Sequence, residues 1–327
     1  MITLNDRERQ FLVRHFTEHH DMTQKMRVLH GPNLASVFDP KTKRLHGHTL
    51  DPRCCGRQEL VFESAASRAT TLTRHPLKFW DVRRRATPRE LARLQGFPET
   101  FVPPTACVTA LFGNAVAVPC AAHALACVGA DVVPPTTFLD LCSGIGGFHV
   151  AAKATWPDVR CVGASEIKKE AIRCYQTNFP GTPALGDLRG QTAWPSADLL
   201  TAGFPCQPFS RPLKTERATH PDVCFYEHVL RVIDTVGPRM VVLENVRSML
   251  RTGVEHLRAI LQALEARGYH TAYGCLDASA FGLPQQRHRL YILARMEPSP
   301  QLSPPPAAVS QTLGAIMEPT SPPPSPP

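Results

Sequence analysis

The 327-residue sequence has no CxxC pair among its 11 cysteines and no long apolar run free of interruption. The first absence argues against a structural zinc site. Irregular cysteine spacing without a leader segment points to reduced thiols inside a cell rather than a disulfide framework. The second absence argues against a membrane span, because the longest apolar stretch, Val116 to Val133, is Ala-rich and broken by Pro119 and His123. Acidic residues are also in deficit. Lys plus Arg exceed Asp plus Glu by 36 to 28, a net +8, which suits an anionic partner such as nucleic acid without requiring one. With 43% hydrophobic and 20% charged residues, the chain is expected to fold as one large domain or two modest ones.

Proline, in contrast, is abundant, and 11 of the 32 prolines fall in residues 298–327. Ser-Pro clusters around a short apolar patch, Leu313 to Met317, read as an extended linker or disordered tail. Residues 1–75 hold seven of the 14 histidines and 12 Lys or Arg against eight Asp or Glu. A helix is predicted over Asp6 to Glu18, followed by basic loops and short strands. Thr87-Pro-Arg-Glu90 predicts a helix with Thr87 as N-cap and Pro88 at its first position, stopping at Gly96. A second helix is expected from near Asn114 to Val128, with Pro119 imposing a kink or a late start.

Between Thr137 and Ala294, strand patterns alternate with helical ones, the signature of an α/β fold with a mostly parallel sheet. Strands are predicted at Thr137 to Leu141, Val159 to Ser165, Leu199 to Ala202, Met240 to Glu244, around Tyr269 to Leu276, and Arg289 to Ala294. The clearest helices are Glu170 to Asn178, Val223 to Val236 and Gly253 to Ala266.

Phe138-Leu-Asp-Leu-Cys-Ser-Gly-Ile-Gly-Gly-Phe148 is an apolar strand entering a glycine turn and then a helix, which lets a ligand approach backbone amides. Glu166, at the end of the next strand, has the spacing of a carboxylate that grips ribose hydroxyls. Asp187 could accept from an adenine amine. The third glycine of GxGxxG is missing, so a nucleoside cofactor without pyrophosphate fits better than a dinucleotide.

Gly203-Phe-Pro-Cys-Gln-Pro-Phe-Ser210 follows a strand and holds Cys206 between two prolines in a stiff loop. A lone cysteine in a reduced protein is more often an inert thiol. Here the next strand ends in Glu244 at the same sheet edge, and Pro284-Gln-Gln-Arg-His-Arg-Leu-Tyr291 places Arg287 and Arg289 two apart on one face. A thiol nucleophile, an acid for a ring nitrogen, a guanidinium for a carbonyl oxygen and a nucleoside cofactor together suit methylation of a pyrimidine carbon.

These strings resemble the DNA cytosine-5 methyltransferase family: DLCSGIGGF, GFPCQPFS, LENV and PQQRHRLYIL occur in family order across residues 137–294. Two further family blocks, Arg85 to Pro98 and Phe112 to Val118, normally close the chain but here come first, so the sequence looks circularly permuted. The resemblance implies a Rossmann-like, S-adenosylmethionine-dependent methyltransferase with a seven-stranded mixed sheet and a small target-recognition domain. It assigns residues 1–84 to target recognition, 85–136 to the permuted blocks, 137–297 to the catalytic and cofactor-binding domain, and 298–327 to a Pro-rich, disordered tail.

The resemblance also implies roles. Cys206 attacks carbon 6 of a flipped cytosine, Glu244 protonates nitrogen 3, Arg289 binds the base oxygen and Arg287 supports that pocket. S-adenosylmethionine is expected along Phe138, Asp140, Cys142, Ser143, Gly144, Ile145, Gly146 and Gly147, with Glu166 at the ribose. Ile167, Asp187 and Leu188 are expected at the adenine, with Gly203, Pro205, Asn114 and Ala115 completing the site. Phe204, Gln207, Ser210, Asn245, Lys214 and Arg217 face the substrate, the last two through phosphates.

Three features depart from the family pattern: Cys142 stands where Phe is usual, Ile167 where an aromatic is common, and the loop Arg211 to Val223 has no glycine. The expected partner is double-stranded DNA, in a restriction-modification setting, with no metal and no membrane, and the chain is expected to be monomeric and intracellular. That means cytoplasm or nucleoid in a prokaryote or phage, and nucleus in a eukaryote or its virus. Two alternatives stay open. One is RNA (tRNA) cytosine-5 methylation, disfavoured because Val246 is followed by Arg247, Ser248 and Met249 rather than Cys-Phe-Thr. The other is a catalytically weak DNA-binding homologue.

Overall fold

The computed structural model describes residues 84–205, 225–306 and 311–318 throughout. Before these it describes five short strands and residues 68, 69, 71 and 72. The strands are β1 (Arg27–Gly31), β2 (Leu34–Asp39), β3 (Arg44–Leu45), β4 (Leu60–Phe62) and β5 (Leu77–Phe79). β1, β2 and β3 form an antiparallel sheet, and β4 and β5 join β6 (Arg84–Arg85) in a second small sheet. The helix predicted over Asp6 to Glu18 lies outside the described residues.

The main sheet has six strands: β7 (Thr137–Leu141), β8 (Arg160–Ser165), β9 (Leu199–Gly203), β10 (Met240–Val246), β11 (His270–Asp277) and β12 (His288–Arg295), in the order β11-β12-β10-β9-β7-β8. β8, β7, β9 and β10 run parallel, while β12 is antiparallel to both β10 and β11. Each parallel strand is covered on both faces and so reads as a nearly unbroken apolar run: Leu199, Leu200, Met240, Val241 and Val242 are all fully buried. All six predicted strands are present, with boundaries within one or two residues.

The resemblance led us to expect seven strands. At the seventh position, beside β8, the structure has a single bridge between Ala164 and Ala184, made by Ala164 N–H donating to the Pro183 carbonyl and Leu185 N–H to that of Ala164 (2.9 and 2.8 Å). Pro183 has no N–H to offer, and Gly181 and Gly186 flank the segment, so a longer ladder is disfavoured there.

α4 (Gly147–Thr155), α5 (Lys169–Asn178), α6 (Phe225–Val236) and α7 (Val254–Glu265) connect the strands. One apolar core lies between the sheet and α6 and α7. The other joins the opposite face to α4 and to α1 (Pro88–Leu94), α2 (Val108–Asn114) and α3 (Val118–Val128). α1 begins with the expected reciprocal cap: Glu90 N–H donates to Thr87 Oγ1 (3.2 Å) and Thr87 N–H to Glu90 Oε2 (2.8 Å). It ends before Gly96, whose φ of +77° favours glycine.

The helix expected from near Asn114 to Val128 takes the late start that Pro119 allows, and a separate helix precedes it. Asn114 is the last residue of α2, extended backbone intervenes, and Pro119 sits at the start of α3, where its missing N–H leaves no helical bond unmade. The span Val108–Val128 is long and apolar enough to cross a membrane, but most of it is buried inside the fold.

The described parts of the segment expected to be a disordered tail, residues 298–306 and 311–318, also differ. Leu302 packs so closely over Gly274 of β11 that a Cβ there would lie 2.7 Å from it, and the Ser303 carbonyl lies 3.0 Å from His123 Nε2 on α3. Leu313 and Ile316, in a short 3-10 turn, are buried in the core. Arg93 donates to the Ile316 carbonyl (3.1 Å), Glu318 N–H to Glu90 Oε1 (2.8 Å) and Thr87 Oγ1 to Glu318 Oε2 (2.5 Å). The apolar patch within the proline-rich segment supplies burial that composition alone conceals.

Candidate active site

β7, β9 and β10 end side by side, and ligands collect at such an edge in parallel sheets. Glu244 on β10 pairs with Gly203 on β9 and Tyr291 on β12, and Val246 pairs with Arg289. This register, two residues on from Glu244, puts Arg289 on the same face as the carboxylate. Arg289 Nε lies 3.0 Å from Glu244 Oε1, and both side chains are largely buried. Burial pushes the Glu244 carboxyl above its ordinary range, opposed by Arg289 and then Arg287. A carboxyl so poised can hold a proton nearer neutrality and deliver it to a basic ring atom.

Arg287 is almost wholly buried. Its guanidinium donates to the carbonyls of Leu72 (3.1 Å), Gly113 (3.1 Å) and Ala115 (2.7 Å). Two of these are orphan carbonyls at the C-terminus of α2, where a cation is favoured. Arg287 therefore fastens the residues on either side of Asn114 to the main sheet. Gln285 makes a parallel connection: Leu72 N–H donates to its Oε1 (2.8 Å), and its Nε2 donates to the Leu94 carbonyl (3.0 Å). Asn245, expected to face substrate, directs its amide to the Phe204 carbonyl (3.4 Å) and so ties the end of β10 to the loop that leads to Cys206.

The glycine turn after β7 closes on the same edge. A Cβ on Gly144 would meet nothing within 4 Å, so its backbone borders open space. A Cβ on Gly147 would lie 2.6 Å from Val116, so the block preceding α3 packs directly on the turn. Glu166 organises this backbone: Gly144 N–H donates to Oε2 (3.0 Å), and Ile167 and Lys168 N–H donate to Oε1 (2.8 and 2.9 Å). Oε2 retains capacity for a further donor. Asp140 is fully buried, accepts from Thr201 Oγ1 at Oδ1 (2.9 Å) and has no partner at Oδ2. Burial, partly offset by Thr201 and reinforced by Glu166, pushes its carboxyl up to about 7.

These elements enclose a cavity of about 270 Å³. Of the expected cofactor residues, Asn114, Cys142, Glu166, Ile167, Asp187, Leu188 and Pro205 line it, and so do Phe204, Asn245, Glu244, Arg287 and Arg289. Phe138, Asp140, Ser143 and Ile145 do not: they are buried in and behind the turn. Gly144, Gly146, Gly147, Gly203 and Ala115 are not among the lining residues, and Gly146 and Gly147 pack instead against Phe179 and Val116. Cys206, Gln207, Ser210, Lys214 and Arg217 lie outside the described residues. Asp187, expected to be open to an adenine amine, is already engaged by Arg189 through Nε (3.0 Å to each oxygen), Nη2 (2.7 Å) and the backbone N–H (3.0 Å).

Sequence reasoning missed Gly113, Ser165, Lys168, Arg189, Phe225 and Val246. Gly113 and Val246 lie inside the quoted family blocks, and Ser165, Lys168 and Arg189 adjoin named site residues; Phe225 had no such signal. The donor set fits a nucleoside-bearing cofactor: a carboxylate with a spare acceptor site at the strand end in Glu166, and apolar walls at Ile167 and Leu188, with open backbone at Gly144 close by. Among the described residues, no group of three or more His, Cys, Asp or Glu is placed to hold a metal ion.

Known proteins resemble this chain. Type II methyltransferase M.BanI of Aneurinibacillus aneurinilyticus is 39% identical over 171 residues, 51% of this chain and 40% of that protein. Type II methyltransferase M.MspI of Moraxella sp is 37% identical over 186 residues, 55% of this chain and 44% of that protein. A solved DNMT2 from Spodoptera frugiperda aligns over 49% of each chain at 29% identity, with a TM-score of 0.41. The matches thus span less than half the length of both curated relatives. The family model for C-5 cytosine-specific DNA methylase matches residues 7–128 and 136–320, nearly the whole sequence, and the chain belongs to that family.

Proposed function

We propose that the protein methylates carbon 5 of cytosine in double-stranded DNA, with S-adenosylmethionine as the donor. The observation that carries this reading is the buried Glu244–Arg289 pair on the wall of a cavity that Pro205, the sequence neighbour of Cys206, also lines. The ring carbon is a poor nucleophile until a thiolate adds to its neighbour. Cys206 forms a bond to carbon 6, the carbon 5–carbon 6 double bond opens, and Glu244 supplies a proton to nitrogen 3, leaving an enamine with electron density on carbon 5. Arg289 donates to the base oxygen and holds the Glu244 carboxyl against the ring. After methyl transfer, loss of the carbon 5 proton to solvent expels the thiolate, and the nitrogen 3 proton returns to Glu244 as the ring is restored. S-adenosylmethionine, when bound, supplies the methyl group as an electrophilic carbon. Glu166, Ile167 and Leu188 would hold its nucleoside, and the backbone at Gly144 its amino-acid end.

The base must leave the duplex stack to reach this pocket. The basic segment 1–84 is read as the recognition domain, and residues 85–136 as the family's closing blocks in permuted order. Supporting this, Arg287 and Gln285 bind those blocks to the catalytic sheet, and α1, α2 and α3 share a core with α4. The protein is read as a monomer working inside a cell. Incubation with labelled S-adenosylmethionine and either duplex DNA or tRNA tests the proposal. Label in DNA that disappears with Cys206→Ala supports it; label confined to tRNA, or binding to DNA without label, refutes it.

A further inference from the structure

Pro284 to Arg287, which lead into β12, join segments that are remote in sequence. On one side Ala69 forms a parallel bridge with Gln285. Ala69 N–H donates to the Pro284 carbonyl and Gln286 N–H to that of Ala69 (2.8 Å each), while Thr71 Oγ1 donates to the Gln286 carbonyl (2.9 Å). Two side chains carry the connection onward. The Gln285 amide accepts from Leu72 N–H (2.8 Å) and donates to the Leu94 carbonyl at the end of α1 (3.0 Å). Arg287 donates to the carbonyls of Leu72, Gly113 and Ala115. Its own backbone is pinned to the end of β11: its N–H donates to Asp277 Oδ1 (2.9 Å), and its carbonyl accepts from Ala278 N–H (3.0 Å). The bonds from the Gln285 and Arg287 side chains span 172 to 215 residues of sequence, so none is dictated by local chain geometry.

This junction lies between the positions read above for base and cofactor. Arg289, two residues on, lines the cavity beside Glu244. Asn114, between the two carbonyls that Arg287 holds, lines it as well. Gln285 is completely buried and is not among the lining residues. Its amide orientation is set by its partners, because Leu72 N–H requires the oxygen and the Leu94 carbonyl requires the nitrogen. Moving either partner away would strand a buried polar group on the amide. Ordering the segment that holds Leu72 therefore lowers the cost of ordering α1 and the turn at Asn114, and the reverse holds equally. A ligand that fixes one of these segments spares a second ligand part of its own ordering cost, which is positive coupling between their sites.

We propose that Gln285 is a positioning residue that couples cofactor binding to duplex binding, with Thr71 supporting it from the amino-terminal segment. This rests on the reading of residues 1–84 as the part that meets DNA and of the cavity as the S-adenosylmethionine site. Gln285 touches neither ligand and acts through Leu72 on one side and α1 on the other.

Calorimetric titration of the full chain with S-adenosylhomocysteine, alone and with a saturating duplex that contains a site the protein methylates, tests this. In the unaltered chain the duplex should tighten S-adenosylhomocysteine binding about fivefold or more, and S-adenosylhomocysteine should tighten duplex binding by the same factor, as linkage requires. Gln285→Leu should bring both factors close to one, with a smaller change in S-adenosylhomocysteine affinity when DNA is absent. Thr71→Val keeps the side-chain shape and removes only the hydroxyl bond to Gln286. It should lower the factors part-way, and it carries the test if Gln285→Leu does not fold. Hydrogen exchange supplies a readout that a general loss of stability would not reproduce: S-adenosylhomocysteine alone should slow exchange at Leu72 in the unaltered chain but not in Gln285→Leu. Coupling of undiminished size in folded Gln285→Leu, or in Thr71→Val where that variant carries the test, overturns the proposal. So does the absence of coupling in an unaltered chain that binds both ligands, which leaves the methylation reading intact. Failure of the unaltered chain to bind S-adenosylhomocysteine or any duplex overturns both.

Discussion

Glu244 and Arg289 are legible in the amino-acid sequence: a carboxylate ending an apolar strand, and an arginine two positions from another on an entering strand. Their 3.0 Å contact is not, because it depends on antiparallel pairing between β10 and β12, which periodicity along the chain does not specify. The raised Glu244 carboxyl has a kinetic consequence. If Glu244 must carry the proton it gives to nitrogen 3, turnover should decline as pH rises through its elevated range. Glu244→Gln should lower kcat by about 10²-fold or more with little change in cofactor affinity, measured by single-turnover methylation and by titration. Asp140 makes a separate prediction, about stability. Its folded-state value of about 7 lies above the ordinary 3.8, so the native state binds the proton more tightly than the unfolded chain. The resulting stability is fully present below about pH 4 and lost as pH rises to about 7. Urea melts across that window should show the decline, and Asp140→Asn should flatten it.

Among the elements, the strands and the capped helix α1 follow closely from alternation, apolar runs and the Thr87–Glu90 spacing. Three features do not. The break between α2 and α3 at residues 115–117 is legible in part: Pro119 announces the late start of α3, but not the separate helix that ends at Asn114. The packing of residues 301–306 and 311–318 is hidden by the surrounding prolines, which signal disorder in composition while Leu302, Leu313 and Ile316 pack against the fold. Arg287 is expected at the base pocket, yet its three carbonyl partners lie on segments remote in sequence. Leu313→Ala should destabilise the fold by about 2–5 kcal/mol, the usual cost of emptying a core leucine site, and thermal or urea unfolding checks it. Arg287→Ala should be more damaging than Arg287→Lys, since three buried carbonyls would lose their donor. Its signature should include weaker S-adenosylhomocysteine binding as Asn114 is released from the cavity.

For the molecule as a whole, the +8 charge by itself indicates no more than an anionic partner. Membership of the C-5 cytosine-specific DNA methylase family gives that charge a use, and phosphate neutralisation should make duplex binding fall steeply with salt. On the proposed reading, the DNA sequence recognised depends on residues 1–84, where no base contact has a signature in composition or spacing. The central claim is covalent cytosine chemistry through Cys206, and trapping tests it most directly. A duplex carrying 5-fluorocytosine at a site the protein methylates blocks the final elimination, because fluorine cannot leave as the carbon 5 proton does. With S-adenosylmethionine present, a denaturation-resistant protein–DNA adduct should accumulate, map to Cys206 by peptide mass spectrometry, and vanish in Cys206→Ala. An adduct that forms equally well in Cys206→Ala, or maps to another residue, would contradict the account.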